Sequence, residues 1–135
     1  MRFPAGREQR LTASFELSYE QGTLEAISYL DGKEISRDVV TTAGRPKGIR
    51  IVPDKKELKA DGQSLIFAEI EIIDAEAGLV PTADLKAEIA VYGDAKLAAF
   101  GTGKRKTTEN YKTGKFTSLN GKLLAVVRAF ACKSL

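Results

Sequence analysis

The stretch SLIFAEIEIID, residues 64–74, decides the fold. Ile66, Ala68, Ile70 and Ile72 recur every second position, with Glu69 and Glu71 between them. Successive strand side chains point to opposite faces, so this period of two predicts a half-buried antiparallel strand. A helix would need apolar residues three and four apart, and no window of the chain shows that convincingly. The same alternation recurs in DLKAEIAVYG (84–93), where Leu85, Ala87, Ile89 and Val91 share a face. GKLLAVVRAF (121–130) is apolar on both faces, which predicts a central, well-covered strand.

Turn chemistry separates these runs. Asp31-Gly32, Asp61-Gly62, Gly78, Gly93-Asp94 and Asn120-Gly121 are turn or loop signals. Asp31-Gly32 is the strongest hairpin signal, because strand-forming residues flank it on both sides. Pro46, Pro53 and Pro81 stand at the edges of runs, where a missing N–H does least harm. Strands are expected near 12–18, 24–30, 33–41, 47–53, 64–74, 85–92, 95–100, 114–118 and 121–130. Short strands at this spacing point to an all-β chain built on an immunoglobulin-like β-sandwich. TTAGRPKG (41–48) clusters Gly and Pro between two strand patterns and sets the expected boundary. Residues 45–135 approach the roughly 100 residues of one such sandwich. Residues 1–44 hold only three expected strands, a fragment of a second sandwich that is marginal by itself.

Composition narrows the chemistry. The chain has 135 residues and a net charge of +3, from 21 basic and 18 acidic residues. That is too mild for the strongly basic face expected of a nucleic-acid binder. No apolar run reaches the roughly 18 residues that span a bilayer, so no membrane partner is expected. The opening MRFPAGREQR lacks the apolar centre of a secretory signal. Histidine is absent, which removes the commonest general base and metal ligand. Cys132 is the only cysteine and is expected to be a frayed terminal thiol.

Several constellations bear on chemistry. Glu69 and Glu71 share a strand face, as an acid–base pair for glycoside cleavage would, but i, i+2 carboxylates more often form a solvated face. GTGKRKTT (101–108) is superficially like a phosphate loop; Ala98 stands where its first Gly is needed and Arg105 where Ser or Thr is needed. Asp54, Asp61, Asp74, Glu76 and Asp84 lie near strand ends, as calcium-binding loop acids do, without a calcium-loop spacing. No catalytic, cofactor or metal residue is therefore assigned. The basic cluster Lys104, Arg105 and Lys106, with Lys112 and Lys115 nearby and Tyr111 and Phe116 interleaved, is the candidate contact loop.

One family accounts for these patterns together. FELSYEQGTLEAISYLDGKEISRDVVTTAG (15–44) resembles the last strands of the immunoglobulin-like domain that follows the catalytic barrel in glycoside hydrolase family 2 enzymes, a group that includes β-galactosidases. Tyr19, Glu20, Gly22, Leu24, Ala26, Tyr29, Asp31, Gly32, Lys33, Thr42, Ala43 and Gly44 carry that likeness. Leu58 to Gly62, Val80 to Asp84, KLAAFGTG (96–103) and FTSLNGKLLAVVRA (116–129) resemble the C-terminal domain of the same enzymes. Where such enzymes often continue the Gly-x-Gly segment into an Asn- or Asp-Pro stretch, this chain runs into Lys104-Arg105-Lys106.

The resemblance implies a non-catalytic accessory region of a β-galactosidase-like hydrolase that braces the catalytic barrel or subunit contacts. The family's two catalytic glutamates lie on the barrel, which takes roughly 250 residues, so no residue here inherits their role. It further implies a periplasmic or secreted parent enzyme. The catalytic domain is the expected partner, together with a homo-oligomer through residues 12–41. The alternative is a bacterial immunoglobulin-like adhesion or carbohydrate-binding module, with Tyr92, Tyr111 and Phe116 as its aromatic contacts.

Overall fold

The structure, a computed structural model, describes residues 2–131. Cys132 lies outside them. The chain divides into two compact units between Thr42 and Ala43.

The first unit is a hairpin. Strand β1 (Thr23–Leu30) pairs antiparallel with β2 (Lys33–Thr41). Asp31 and Gly32 connect them at φ of 49° and 78°. Both central positions are left-handed, as in the two-residue turn that matches the right-handed twist of a β-ribbon. A bulge sets Ser28 opposite Ser36 and Tyr29 opposite Glu34, leaving Ile35 as the extra residue. Arg37 bridges Glu34, at 2.9 Å, and Glu25 across the pair. The Arg37 hydrogen bond holds the Glu34 carboxyl below its ordinary range. At the open end, Gly22 and Thr42 close the ribbon with a backbone bond of 2.8 Å and an amide-to-hydroxyl bond of 3.1 Å.

The expected strand over 12–18 does not form: residues 12–20 have no regular secondary structure. The alternation of Phe15, Leu17 and Tyr19 reports which side chains seek cover. It does not supply a ladder partner, and neither edge of the hairpin takes this segment. Phe15 instead stacks on Phe3, with ring centroids 5.5 Å apart. The segment ahead of the sandwich therefore carries two strands, not three.

The second unit is an antiparallel β-sandwich. Its main sheet runs β3-β4-β8-β6, from β3 (Gly48–Pro53), β4 (Leu65–Ile73), β8 (Lys122–Ala129) and β6 (Ala95–Gly101). A short pair, β5 (Lys86–Glu88) and β7 (Lys115–Thr117), forms the second layer. The all-β reading holds, and the alternation in β4 sorts as expected. Ala68, Ile70 and Ile72 are buried, while Glu69 and Glu71 take the opposite face. Ala68 and Ile70 join Phe100, Phe116, Leu123 and Ala125 in the main core. Ile72, Val80 and Ala83 form a second cluster at one end.

Two strands depart from expectation. The one anticipated over 85–92 is regular only at 86–88. Beyond it, the Ile89 N–H donates to the Gly114 carbonyl at 2.8 Å, outside the ladder, where Gly114 itself has φ of 70°. β8 is central as expected but covered on one face only, since Leu124 remains 43% exposed.

Loop carboxylates fasten this unit. Buried Asp74 accepts backbone N–H bonds from Gly44 at 2.8 Å, Gly78 at 2.8 Å and Glu76 at 3.0 Å. Those bonds, led by the one from Gly44, hold its pKa below the usual aspartate value. Asp61 accepts from the Ser64 hydroxyl and from the Gln63 and Ser64 amides at 2.7–2.8 Å, which brings its pKa down to about 2 from 3.8. A depressed folded-state pKa stabilises above the unfolded value and loses that contribution as pH falls through the folded one. Thermal unfolding followed by circular dichroism should therefore show a falling midpoint between about pH 4 and pH 2. Asp61→Asn should flatten that slope; an unchanged slope in this variant would contradict the assignment.

Candidate functional site

The candidate contact loop leaves the end of β6. Gly101 is buried there because the Tyr111 ring lies over it, and a Cβ at Gly101 would overlap that ring and stand 3.1 Å from Phe116 Cε2. The Phe100 N–H donates to the Tyr111 carbonyl at 2.7 Å, and the Tyr111 hydroxyl donates to the Thr102 carbonyl at 3.3 Å. These bonds fix the base of a loop whose tip carries Lys104, Arg105 and Lys106. All three are exposed, and none forms an ion pair among the described residues. Lys115 is drawn off to Glu88 at 3.2 Å across the β5–β7 pair.

Phe116 corrects the sequence reading. It is fully buried, packed against Tyr111 with centroids 4.8 Å apart, and belongs to the core, not to a contact surface. Its three-residue strand, KFT, turns the central side chain inward while Lys115 faces solvent. Tyr111 is 40% exposed and Tyr92 90% exposed. With Phe116 buried, these three rings do not make the exposed aromatic set that the carbohydrate-binding alternative requires.

The two strand carboxylates are also resolved. Lys122, on β8, lies between Glu69 and Glu71, and Arg50, on β3, holds Glu71 at 2.7 Å. The resulting cross-strand ladder of alternating charge comes from the register, which sets Arg50 and Lys122 opposite Glu71 on its two sides. The Arg50 hydrogen bond, followed by that from Lys122, lowers the Glu71 pKa. A general acid in glycoside cleavage needs a raised pKa, so this pair is built as a salt-bridged face. Lys122 was missed in the sequence because its partner lies 53 residues away.

Beside the ladder is an open groove of about 430 Å³ on the outer face of the main sheet. Ala99, Leu124 and Val126 form its floor, with Leu119 beside them. Gly101, Thr102, Gly103 and Tyr111 make one wall, and Glu69 and Lys122 close the other side. The calcium-type loop acids do not converge. Asp54, Asp61 and Asp74 each accept nearby backbone amides, and no group of three or more metal-binding side chains occurs among the described residues.

Comparison with known proteins agrees with this architecture. The chain is 32% identical to the β-galactosidase BoGH2A of Bacteroides ovatus over 87% of its own length, which is 14% of that enzyme. It is 26% identical to a β-galactosidase of Thermoanaerobacter pseudethanolicus, covering 61% of this chain and 11% of the relative. A crystal structure of a glycosyl hydrolase family 2 member from Bacteroides cellulosilyticus superposes with a TM-score of 0.88 and 26% identity, over 96% of this chain and 18% of that one. The chain thus spans less than a fifth of each of these proteins. Residues 49–133 match the model described as glycoside hydrolase family 2 C-terminal domain 5. With its β-sandwich and these matches, the chain belongs to glycoside hydrolase family 2, in which it corresponds to a C-terminal domain segment.

Proposed function

We propose that this chain is a non-catalytic accessory region that braces the catalytic domain of a β-galactosidase-like enzyme, or a contact between its subunits. Its match to a C-terminal domain carries this reading, together with the small share of each relative that it covers. The unit ending at Thr42 then holds the closing strands of an immunoglobulin-like domain, and the unit beginning at Ala43 is a C-terminal sandwich domain. The exposed Leu24, Val39 and Val40 on the hairpin support cover from elsewhere in the longer enzyme, or from a second copy through residues 12–41. On this reading the parent enzyme is periplasmic or secreted and acts on β-galactosides, while this region takes no cofactor.

Two measurements test it. The isolated chain should show no turnover of aryl β-galactosides, and sustained turnover by pure protein would overturn the reading. The 32%-identical β-galactosidase, with its matched segment replaced by this chain, should remain folded and active. Excision of that segment should lower its Tm by roughly 5–15 °C while leaving kcat/KM of the folded fraction within about twofold. Loss of kcat at unchanged Tm would place this region in the chemistry instead.

A further inference from the structure

The outer face of the main sheet is divided: the ladder of Arg50, Glu71, Lys122 and Glu69 covers one part, and an apolar strip lies beside it. Leu123 and Ala125 of β8 point into the core, so Leu124 and Val126 point out. The register sets Phe67 of β4 and Ala99 of β6 opposite Val126, on that same outer face. An antiparallel sheet with one wet face should carry polar residues there. Phe67 and Leu124 are instead both 43% exposed. Ala99, Leu124 and Val126 of this strip form the floor of the groove, and the groove's own charges, Glu69 and Lys122, are spent on each other. Past Gly103, which lines the groove, the chain runs directly into Lys104, Arg105 and Lys106, which are exposed and make no ion pair among the described residues.

We infer that this groove is a docking site for a protein segment that inserts a large aliphatic or aromatic side chain over Leu124 and Val126 and sets carboxylates against Lys104, Arg105 and Lys106. The inference rests on the accessory reading and names the chemistry of the partner: an acidic, apolar-anchored segment on another domain. Charge excludes a second copy of the same face, because a two-fold contact would bring two basic lips together. Surface chemistry argues against a glycan. The floor is aliphatic, and the lining ring, Tyr111, is already laid over Gly101 and packed on Phe116. Much of its surface is therefore already engaged, which makes it a poor stacking platform for a sugar.

A random dodecapeptide display library, selected on the full chain, tests this directly. The expected winners carry one or two large apolar residues flanked by Asp or Glu. Synthetic copies should bind about tenfold more weakly to Leu124→Asp, and also to the Lys104→Glu, Arg105→Glu, Lys106→Glu triple variant. Both variants change exposed positions, and amide NMR spectra unchanged away from the groove confirm that they fold. No enrichment, winners without carboxylates, or equal binding to both variants would overturn the proposal. A concentration-dependent dimer abolished by Leu124→Asp would overturn it in favour of self-association. Oligoglucuronate shifting the Gly101–Gly103 amides would overturn it in favour of an acidic glycan. The accessory reading fails separately: a blank selection beside a destabilised excision enzyme overturns the groove alone.

Discussion

Phe116→Ala should come close to unfolding the sandwich. The ring is fully buried against Phe100 and the main core, and it is the central residue of a second layer only two short strands wide. Removing a buried Phe costs about 3–5 kcal/mol, more where the surroundings cannot collapse into the space. Here the neighbours are held in the ladders of a four-stranded sheet, so little collapse is available. A unit of this size should lose roughly 15–30 °C in Tm. Tyr92→Ala, which removes an aromatic 90% exposed, should change stability by no more than about 0.5 kcal/mol. Urea unfolding of the two variants side by side is the check. Similar losses from both would mean that Phe116 does not anchor the second layer.

Gly121→Val should have an effect of similar size through the backbone. Asn120 and Gly121 turn at φ of 52° and 74°, joined by reciprocal Leu119–Lys122 backbone bonds of 3.0 Å. A Cβ at Gly121 would overlap the Val80 carbonyl oxygen. That carbonyl cannot step aside cheaply: the Val80 N–H is bound to the Ile72 carbonyl at 2.9 Å, and the Ile72 N–H to the Gly121 carbonyl at 2.7 Å. A β-branched residue adds a left-handed strain of about 1–2 kcal/mol to the overpacking cost of about 1–3 kcal/mol. Gly93→Val provides the contrast. Its φ is 90°, but nothing lies within 4 Å of the Cβ position, so only the strain should be felt. Equal destabilisation of the two would show that the close approach to Val80 contributes nothing.

These sites differ in how far the sequence exposed them. The strand over 65–73 was legible because Ile66, Ala68, Ile70 and Ile72 repeat over enough residues to fix both period and face. The Asp31-Gly32 turn was legible because left-handed geometry narrows the choice of residue so strongly. The segment 12–18 was misread because alternation around Phe15 and Leu17 says nothing of a hydrogen-bonding partner. Phe116 was misread because it lies among lysines in a strand of three residues, too short to display a period. The ladder through Lys122 and the overlap at Gly121 depend on contacts across the fold, which only the register reveals. The groove was half visible. GKLLAVVRAF announced that both faces of one strand were meant to be covered, without saying that this chain covers only one.

The order of strands in the main sheet also sets the order of events when the chain folds. β8, the last strand in the described sequence, is an inner strand of the sheet, between β4 and β6. Until it is present, β4 and β6 have no common neighbour, and Ile70 and Phe100 lack the Leu123 and Ala125 that join them. The sandwich therefore cannot be assembled progressively from the N-terminal side as the polypeptide leaves the ribosome. It waits for β8 and then closes through long-range pairings, the slow kind in which loop-closure entropy precedes the reward. Earlier strands carry exposed edges and apolar side chains through that interval, which makes the nascent chain an aggregation-prone species.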